Sequence, residues 1–287
     1  PPLPAAAQSW SLYDTGGASY AIEPTGNTAN RYTYDISLDV GATSTGTPVN
    51  VEMDTGSTGI VVTADLISSN PDALTGPPGW AFYNSSGLLL TGVLTQTTVT
   101  YRDTVGGTPV TASVPVLAVK NRYCLGVGGN SAHCSETGTI AMMGVGFGRN
   151  TLGADGSTFA VNTLNFVTMS PAEKAALAGQ LDGVGVTPLA YNPLVNVVPD
   201  GASTFNQGYI IRDGKIEVGL TAANTSNFAY GKLQSTADSQ GTSTWSQAPM
   251  AIQVGAAGPA TGVLLADTGV TDGFVHIPGA QTSGEVA

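Results

Sequence analysis

The feature that most constrains this chain is a pattern used twice: an apolar run, then Asp-Thr-Gly, then a short turn and a second apolar run. The first copy is Val51-Glu52-Met53-Asp54-Thr55-Gly56-Ser57-Thr58-Gly59-Ile60-Val61-Val62. The second is Val263-Leu264-Leu265-Ala266-Asp267-Thr268-Gly269-Val270-Thr271, with Phe274, Val275 and Ile277 beyond it. A third copy, Asp14-Thr15-Gly16, runs into Gly17, Ala18 and Ser19 and lacks apolar flanks, so the tripeptide alone is not the signal. Repetition of the flanks reads as duplication of one strand–turn–strand unit. The plain alternative is a pair of ordinary Asp-Gly hairpin turns.

Two carboxylates on matching turns suit acid-type hydrolysis of peptide bonds. One must be ionised to deprotonate a water, and the other must carry a proton for the substrate carbonyl. Like charges in one pocket cannot both ionise easily, so proximity produces that division.

The rest of the sequence fits an all-β chain. Short β-branched and apolar runs at 32–40, 49–53, 88–101, 110–119, 209–218 and 250–254 alternate with Gly, Pro, Asn and Asp turns. Helix signals are few. Ser170-Pro171-Ala172-Glu173 is a capping box with Pro at the first helical position, leading into 174–181. A second short helix is expected at Ala64-Asp65-Leu66-Ile67, and a hinge between two lobes at 148–156.

Only 10% of the 287 residues are charged, with a net charge of -11, which repels nucleic-acid phosphates and leaves no basic patch. No apolar run approaches the about 20 residues that a membrane-spanning helix needs. The opening Pro1-Pro2-Leu3-Pro4-Ala5-Ala6-Ala7 reads as the tail of a linker, so residues 1–10 are expected to be a linker remnant of a longer exported protein. Cys124 and Cys134 flank a Gly-rich loop. A disulfide and an oxidising compartment are the expected reading, with two buried thiols as the alternative. Two cysteines and His133 fall short of a zinc set, and no metal or other cofactor is expected. No Gly-x-Ser-x-Gly elbow accompanies His133 or His276, which argues against a serine hydrolase.

With the paired turns in hand, the chain resembles the pepsin-like aspartic proteases. Tyr34-Asp35-Ile36-Ser37-Leu38-Asp39-Val40-Gly41 and Thr47-Pro48-Val49 are similar to the family's opening strand and turn. Trp80-Ala81-Phe82-Tyr83-Asn84-Ser85-Ser86-Gly87, then Thr91-Gly92-Val93-Leu94, resembles its flap hairpin. Ile140-Ala141-Met142-Met143-Gly144-Val145-Gly146-Phe147 resembles the strand that crosses behind the first catalytic turn, and Lys215-Ile216-Glu217-Val218-Gly219-Leu220 echoes the start of the second lobe. The Gly-rich, weakly charged style looks most like the pepsin-like C-terminal domains of mycobacterial PE and PE-PGRS surface proteins.

The resemblance implies a bilobal double β-barrel with a few short helices. Its N-terminal lobe would be 11–150, and its C-terminal lobe, 151–287, would be either abbreviated or continued beyond residue 287. It implies an aspartic endopeptidase, secreted or at the cell surface and monomeric, acting on peptide or protein in extended conformation. Asp54 and Asp267 would be the dyad. Thr55 and Thr268 would bond across the lobes, Gly56 and Gly269 would permit the tight turns, Ser57 would donate to Asp54, and Tyr83 would close over substrate on a mobile flap. Departures are Val270 where the family carries Thr or Ser, Val61 where it carries Trp, and only twenty residues after Asp267. With no donor at Val270, Asp267 is expected to be the carboxyl that keeps the shared proton. The departures also admit a second class of function, a catalytically silent pepsin-like module that grips peptide or polysaccharide at the cell surface.

Overall fold

The structure is a computed structural model that describes residues 13, 17–28, 31–83, 86–102, 104–124, 134–147, 184–185, 189–199, 204–226, 228, 231–237, 243–253, 258–264, 266–269, 273–275 and 284–286. The Ser170 helix, the 148–156 hinge, Asp14, Val270, His133 and His276 lie outside the described residues.

The described residues of the first half are mainly strands: β1 (Tyr20–Ile22), β2 (Gly26–Thr28), β3 (Arg31–Asp39), β4 (Val49–Asp54), β5 (Thr58–Thr63), β6 (Pro78–Tyr83), β7 (Leu88–Tyr101), β8 (Val110–Cys124) and β9 (Ala141–Val145). One turn of helix, α1 (Ala64–Ile67), follows β5 where the sequence places it. Hydrogen-bonded pairing runs β3–β4–β9–β5–β8–β7 and returns from β7 to β3, closing a six-stranded barrel. Closure leaves these six strands no free edge.

Alternation along the strands builds the core. Val49, Val51 and Met53 of β4 point inward, while Asn50 is exposed. They pack with Ile36, Leu38, Ile60, Val62, Val99, Val114, Val116 and Met143. β5 is buried on both faces: Ile60 and Val62 join this cluster, whereas Val61 joins a second one with Ala81, Leu90, Leu94, Leu117 and Val119. Burial on both sides is why β5 reads as a continuous apolar run.

Two strands run longer or shorter than the hydrophobic pattern indicates. β8 continues past Val119 through the polar Lys120-Asn121-Arg122 to Cys124. It does so because β7 reaches back to Leu88 beside it, after a register shift between Thr91 and Gly92. The run 209–218 is a hairpin, β12 (Tyr209–Arg212) and β13 (Lys215–Val218). Asp213 and Gly214 have φ of 53° and 75°, the two-residue Asp-Gly turn that keeps adjacent strands in register.

Strands of the second half enter both sheets. β10 (Val184–Gly185) pairs parallel to β6, and β11 (Val197–Pro199) pairs with β8. Conversely, β1 pairs with β13, making a three-stranded sheet with β12. A short α2 (Ala222–Thr225) is capped by a reciprocal Thr221–Asn224 box. Three two-stranded ladders follow: β14 (Ser235–Ala237) with β15 (Ser243–Trp245), β16 (Ala248–Ile252) with β17 (Ala260–Leu264), and β18 (Gly273–Val275) with β19 (Gly284–Val286). The described residues are mostly β-strand with few helices, which fits the all-β class that the turn-rich sequence indicates.

Cys124, at the end of β8, is disulfide-bonded to Cys134, with Cα atoms 5.8 Å apart. No helix among the described residues is long and apolar enough to cross a membrane.

Candidate active site

The two flanked Asp-Thr-Gly turns meet. Asp54 ends β4, and β5 leaves the turn in the opposite direction. β9 lies between these two strands, parallel to β4 and antiparallel to β5, so the turn is held at the mouth of a three-stranded unit. Asp267 follows β17 after two residues.

The threonines lock the turns together reciprocally. Thr55 N–H donates to Thr268 Oγ1 (3.0 Å), and Thr268 N–H donates to Thr55 Oγ1 (3.0 Å). Each hydroxyl then donates onward across the interface, Thr55 to the Ala266 carbonyl (2.5 Å) and Thr268 to the Met53 carbonyl (3.1 Å). Hydroxyls alone could do this, because each must accept and donate at once. At a net value of about 1 kcal/mol per bond the lattice contributes a few kcal/mol, and it fixes the mutual orientation of the turns.

Orientation places the carboxylates face to face. A Cβ on Gly56 would fall 2.2 Å from Asp267 Oδ2, and one on Gly269 would fall 2.6 Å from Asp54 Oδ1. Space, rather than a left-handed backbone, is what excludes a side chain at these two positions. Each carboxylate also accepts from its own turn: Gly56 N–H to Asp54 Oδ1 (2.6 Å) and Gly269 N–H to Asp267 Oδ1 (2.8 Å). Ser57 Oγ adds a donor to Asp54 Oδ2 (2.6 Å).

Asp54 is buried and Asp267 half-buried. Burial pushes the Asp54 carboxyl up to about 6, with the facing Asp267 pushing the same way and Ser57 and Gly56 opposing. Desolvation and a facing acid therefore outweigh two hydrogen bonds that favour the charge.

Tyr83 ends β6 at the tip of the β6–β7 hairpin, beside this pair. Its side chain is partly exposed, but its hydroxyl is buried and finds no hydrogen-bond partner among the described residues. Burial raises the phenol strongly and the Asp54 charge adds to this; the Ser57 hydroxyl, near but outside hydrogen-bonding geometry and itself given to Asp54, opposes it. The ring packs against the Val61–Leu90–Leu117 cluster, and β8 pairs with β7 along the whole hairpin. The hairpin is thus paired on both sides, to β8 through β7 and to β10 through β6.

No group of three or more His, Cys, Asp or Glu able to hold a metal ion occurs among the described residues. Two further polar groups that no motif marks, Asn192 and Tyr209, reach the backbone beneath the first turn. Asn192 sits in Tyr191-Asn192-Pro193, which reads as an ordinary turn, and Tyr209 opens a strand; neither carries a signal in the sequence. No protein-family model matches the chain, and no curated protein matches it.

Proposed function

We propose that this chain is an aspartic endopeptidase with a pepsin-like, bilobal arrangement, and that Asp54 and Asp267 hydrolyse peptide bonds through a water held between them. The observation that carries the reading is the mutual apposition of the turns, in which each carboxylate lies against the glycine of the other. In this mechanism the ionised carboxyl takes a proton from the water as its oxygen attacks the scissile carbonyl. The proton already shared by the pair passes to the carbonyl oxygen. The tetrahedral diol then collapses: one carboxyl gives its proton to the departing amine as the C–N bond breaks, and the other takes the proton of one diol hydroxyl, so the pair regains its single proton. A substrate in extended conformation would pass between the dyad and the β6–β7 hairpin, with Tyr83 next to the reacting bond. The Cys124–Cys134 disulfide supports an exported setting, secreted or at the cell surface, in keeping with the PE-type resemblance.

The test is binding of a statine-type inhibitor together with turnover of a peptide library below pH 6. Wild type should bind and cleave, and Asp54→Asn should do neither. Peptide binding without cleavage by wild type would make the protein a silent binding module. Failure to bind either would remove the reading altogether.

A further inference from the structure

The first turn rests on the end of β9. Gly146 N–H donates to the Ser57 carbonyl (2.7 Å). The fit is close: a Cβ on Gly146 would lie 2.3 Å from the Thr55 carbonyl oxygen and 2.8 Å from that of Ser57. The Val145–Gly146 backbone is therefore the platform beneath the residues that hold Asp54.

That platform is itself clamped from the second half of the chain. Asn192 Nδ2 donates to the Val145 carbonyl (2.8 Å) and the Gly146 carbonyl (3.1 Å). Thr58 Oγ1 donates to the same Gly146 carbonyl (3.0 Å), and the Tyr209 hydroxyl donates to the Val145 carbonyl. Asn192 is 0% exposed. Its Oδ1 accepts from Leu194 N–H (2.9 Å) and Val195 N–H (3.3 Å), which settles which way the amide faces. A buried amide is costly unless every polar atom is used, and here each is. Capping Leu194 and Val195 needs only the oxygen, as in any Asx turn. The nitrogen, aimed at two consecutive carbonyls of β9, serves the platform.

We propose that Asn192, assisted by Tyr209, is a positioning residue for the Asp54 carboxylate, acting through Val145–Gly146 and Ser57. The inference rests on the reading of Asp54 as half of a catalytic dyad. If the clamp is released, Gly146 and with it Ser57 gain freedom, and the Ser57 hydroxyl holds Asp54 less well. That bond favours the ionised carboxyl, so loosening it makes Asp54 harder to ionise. The other titratable groups about Asp54 are Asp267, facing it, and Tyr83 from the hairpin, with Glu52 of β4 acting on Tyr83. The substitutions below alter none of these.

Asn192→Ser keeps an oxygen able to cap Leu194 but is too short to reach β9, and Tyr209→Phe removes only the hydroxyl. The readouts are carboxyl NMR titration of Asp54 in ¹³C-labelled protein and the pH profile of kcat/KM on one peptide. Both variants should move the Asp54 titration upward, Asn192→Ser further, with KM unchanged on the plateau. At a pH on the acid limb, kcat/KM should fall about threefold, following the smaller ionised fraction. In a Ser57→Ala background, Asn192→Ser should add no further shift, because the link it acts through is already gone. A folded Asn192→Ser protein with an unmoved Asp54 titration, or one whose shift is fully additive with Ser57→Ala, overturns the proposal. If Asn192→Ser does not fold, Tyr209→Phe decides on the same criterion. The titration needs no activity, so an inactive wild type would defeat the dyad reading while leaving this inference still measurable.

Discussion

The two Asp-Thr-Gly turns share a tripeptide and differ in what stands behind it. The first closes a hairpin whose two arms are separated and braced by β9, inside a closed barrel, and Asp54 is 4% exposed. The second follows β17, whose residues Thr261, Gly262, Val263 and Leu264 are all exposed, and whose described pairing is to β16 alone. Yet the local hydrogen bonds match: Gly N–H to Asp Oδ1, threonine hydroxyl to the opposite backbone. The tripeptide therefore specifies the turn, while the surroundings specify the burial and hence the electrostatics of its carboxyl.

The comparison is broken most directly through catalysis. If the turns are equivalent halves of one dyad, Asp54→Asn and Asp267→Asn should each lower kcat by about 10³-fold or more on a peptide at acidic pH, the scale of losing a general acid or base. Asp14→Asn, at the unflanked copy, should leave kcat unchanged. A rate near wild type in either dyad variant would show that the turns do not act as a pair.

Stability against pH sharpens the difference in burial. Asp54 has its folded value raised from 3.8 to about 6. Its protonated form is thus favoured by folding, a contribution fully present below the unfolded value and lost as pH rises through about 6. The loss is about 2 kcal/mol between pH 4 and pH 7.5 on the linkage relation. Asp54→Asn should abolish that decline, so the variant gains on wild type across this window in urea unfolding. Asp267→Asn removes only the facing charge and leaves the larger cause, burial, in place, so it should flatten the decline in part. Parallel wild-type and Asp54→Asn stability profiles would place Asp54 in contact with water.

The threonine lattice tests the feature the turns have in common. Thr55→Ala and Thr268→Ala each strip a hydroxyl that donates and accepts, at a cost of about 1–2 kcal/mol. Because both belong to one lattice, the double variant should cost less than the sum, which a double-mutant cycle measures. Additive losses would mean that the turns touch without depending on each other.

Much of this was legible in the chain, and the remainder was hidden for physical reasons. The strand 88–101 is read to the residue, since its apolar alternation is long and bounded by Gly87 and Arg102. The Asp-Thr-Gly turns are legible because the flanks repeat. The extension of β8 through Lys120 and Arg122 is not, because only the partner strand keeps those polar residues in a ladder. The split of 209–218 at Asp213-Gly214 was available in the turn chemistry, but the continuous apolar character around it masks the break. Val263 and Leu264 read as an apolar run and form a strand, but they stand exposed, because hydrophobicity states what a residue prefers and not what its neighbours cover. The platform role of Asn192 leaves no trace at all: the β9 carbonyls that its nitrogen reaches lie 46 and 47 positions away, and its local bonds are those of any Asn-Pro turn.

Tyr83 gives the smallest expected effect and the finest view of the first turn. Its ring packs on the barrel side of the hairpin, while its hydroxyl is buried without a partner beside Asp54. An unpaired buried hydroxyl costs stability, so Tyr83→Phe should be neutral or stabilising by up to about 1 kcal/mol in the free protein. Tyr83→Ala, which also removes the ring from the Val61 cluster, should destabilise by several times that amount, as large-to-small changes in cores do. The two variants separate packing from chemistry. If the hydroxyl waits for a substrate carbonyl or amide, Tyr83→Phe should lower kcat/KM severalfold while thermal stability holds or rises. The measurement is the pair of quantities on one preparation: melting temperature without peptide, and kcat/KM with it. A stable Tyr83→Phe protein with undiminished kcat/KM would make Tyr83 a packing residue only, and the first turn would then contribute to substrate through Asp54 and its own backbone alone.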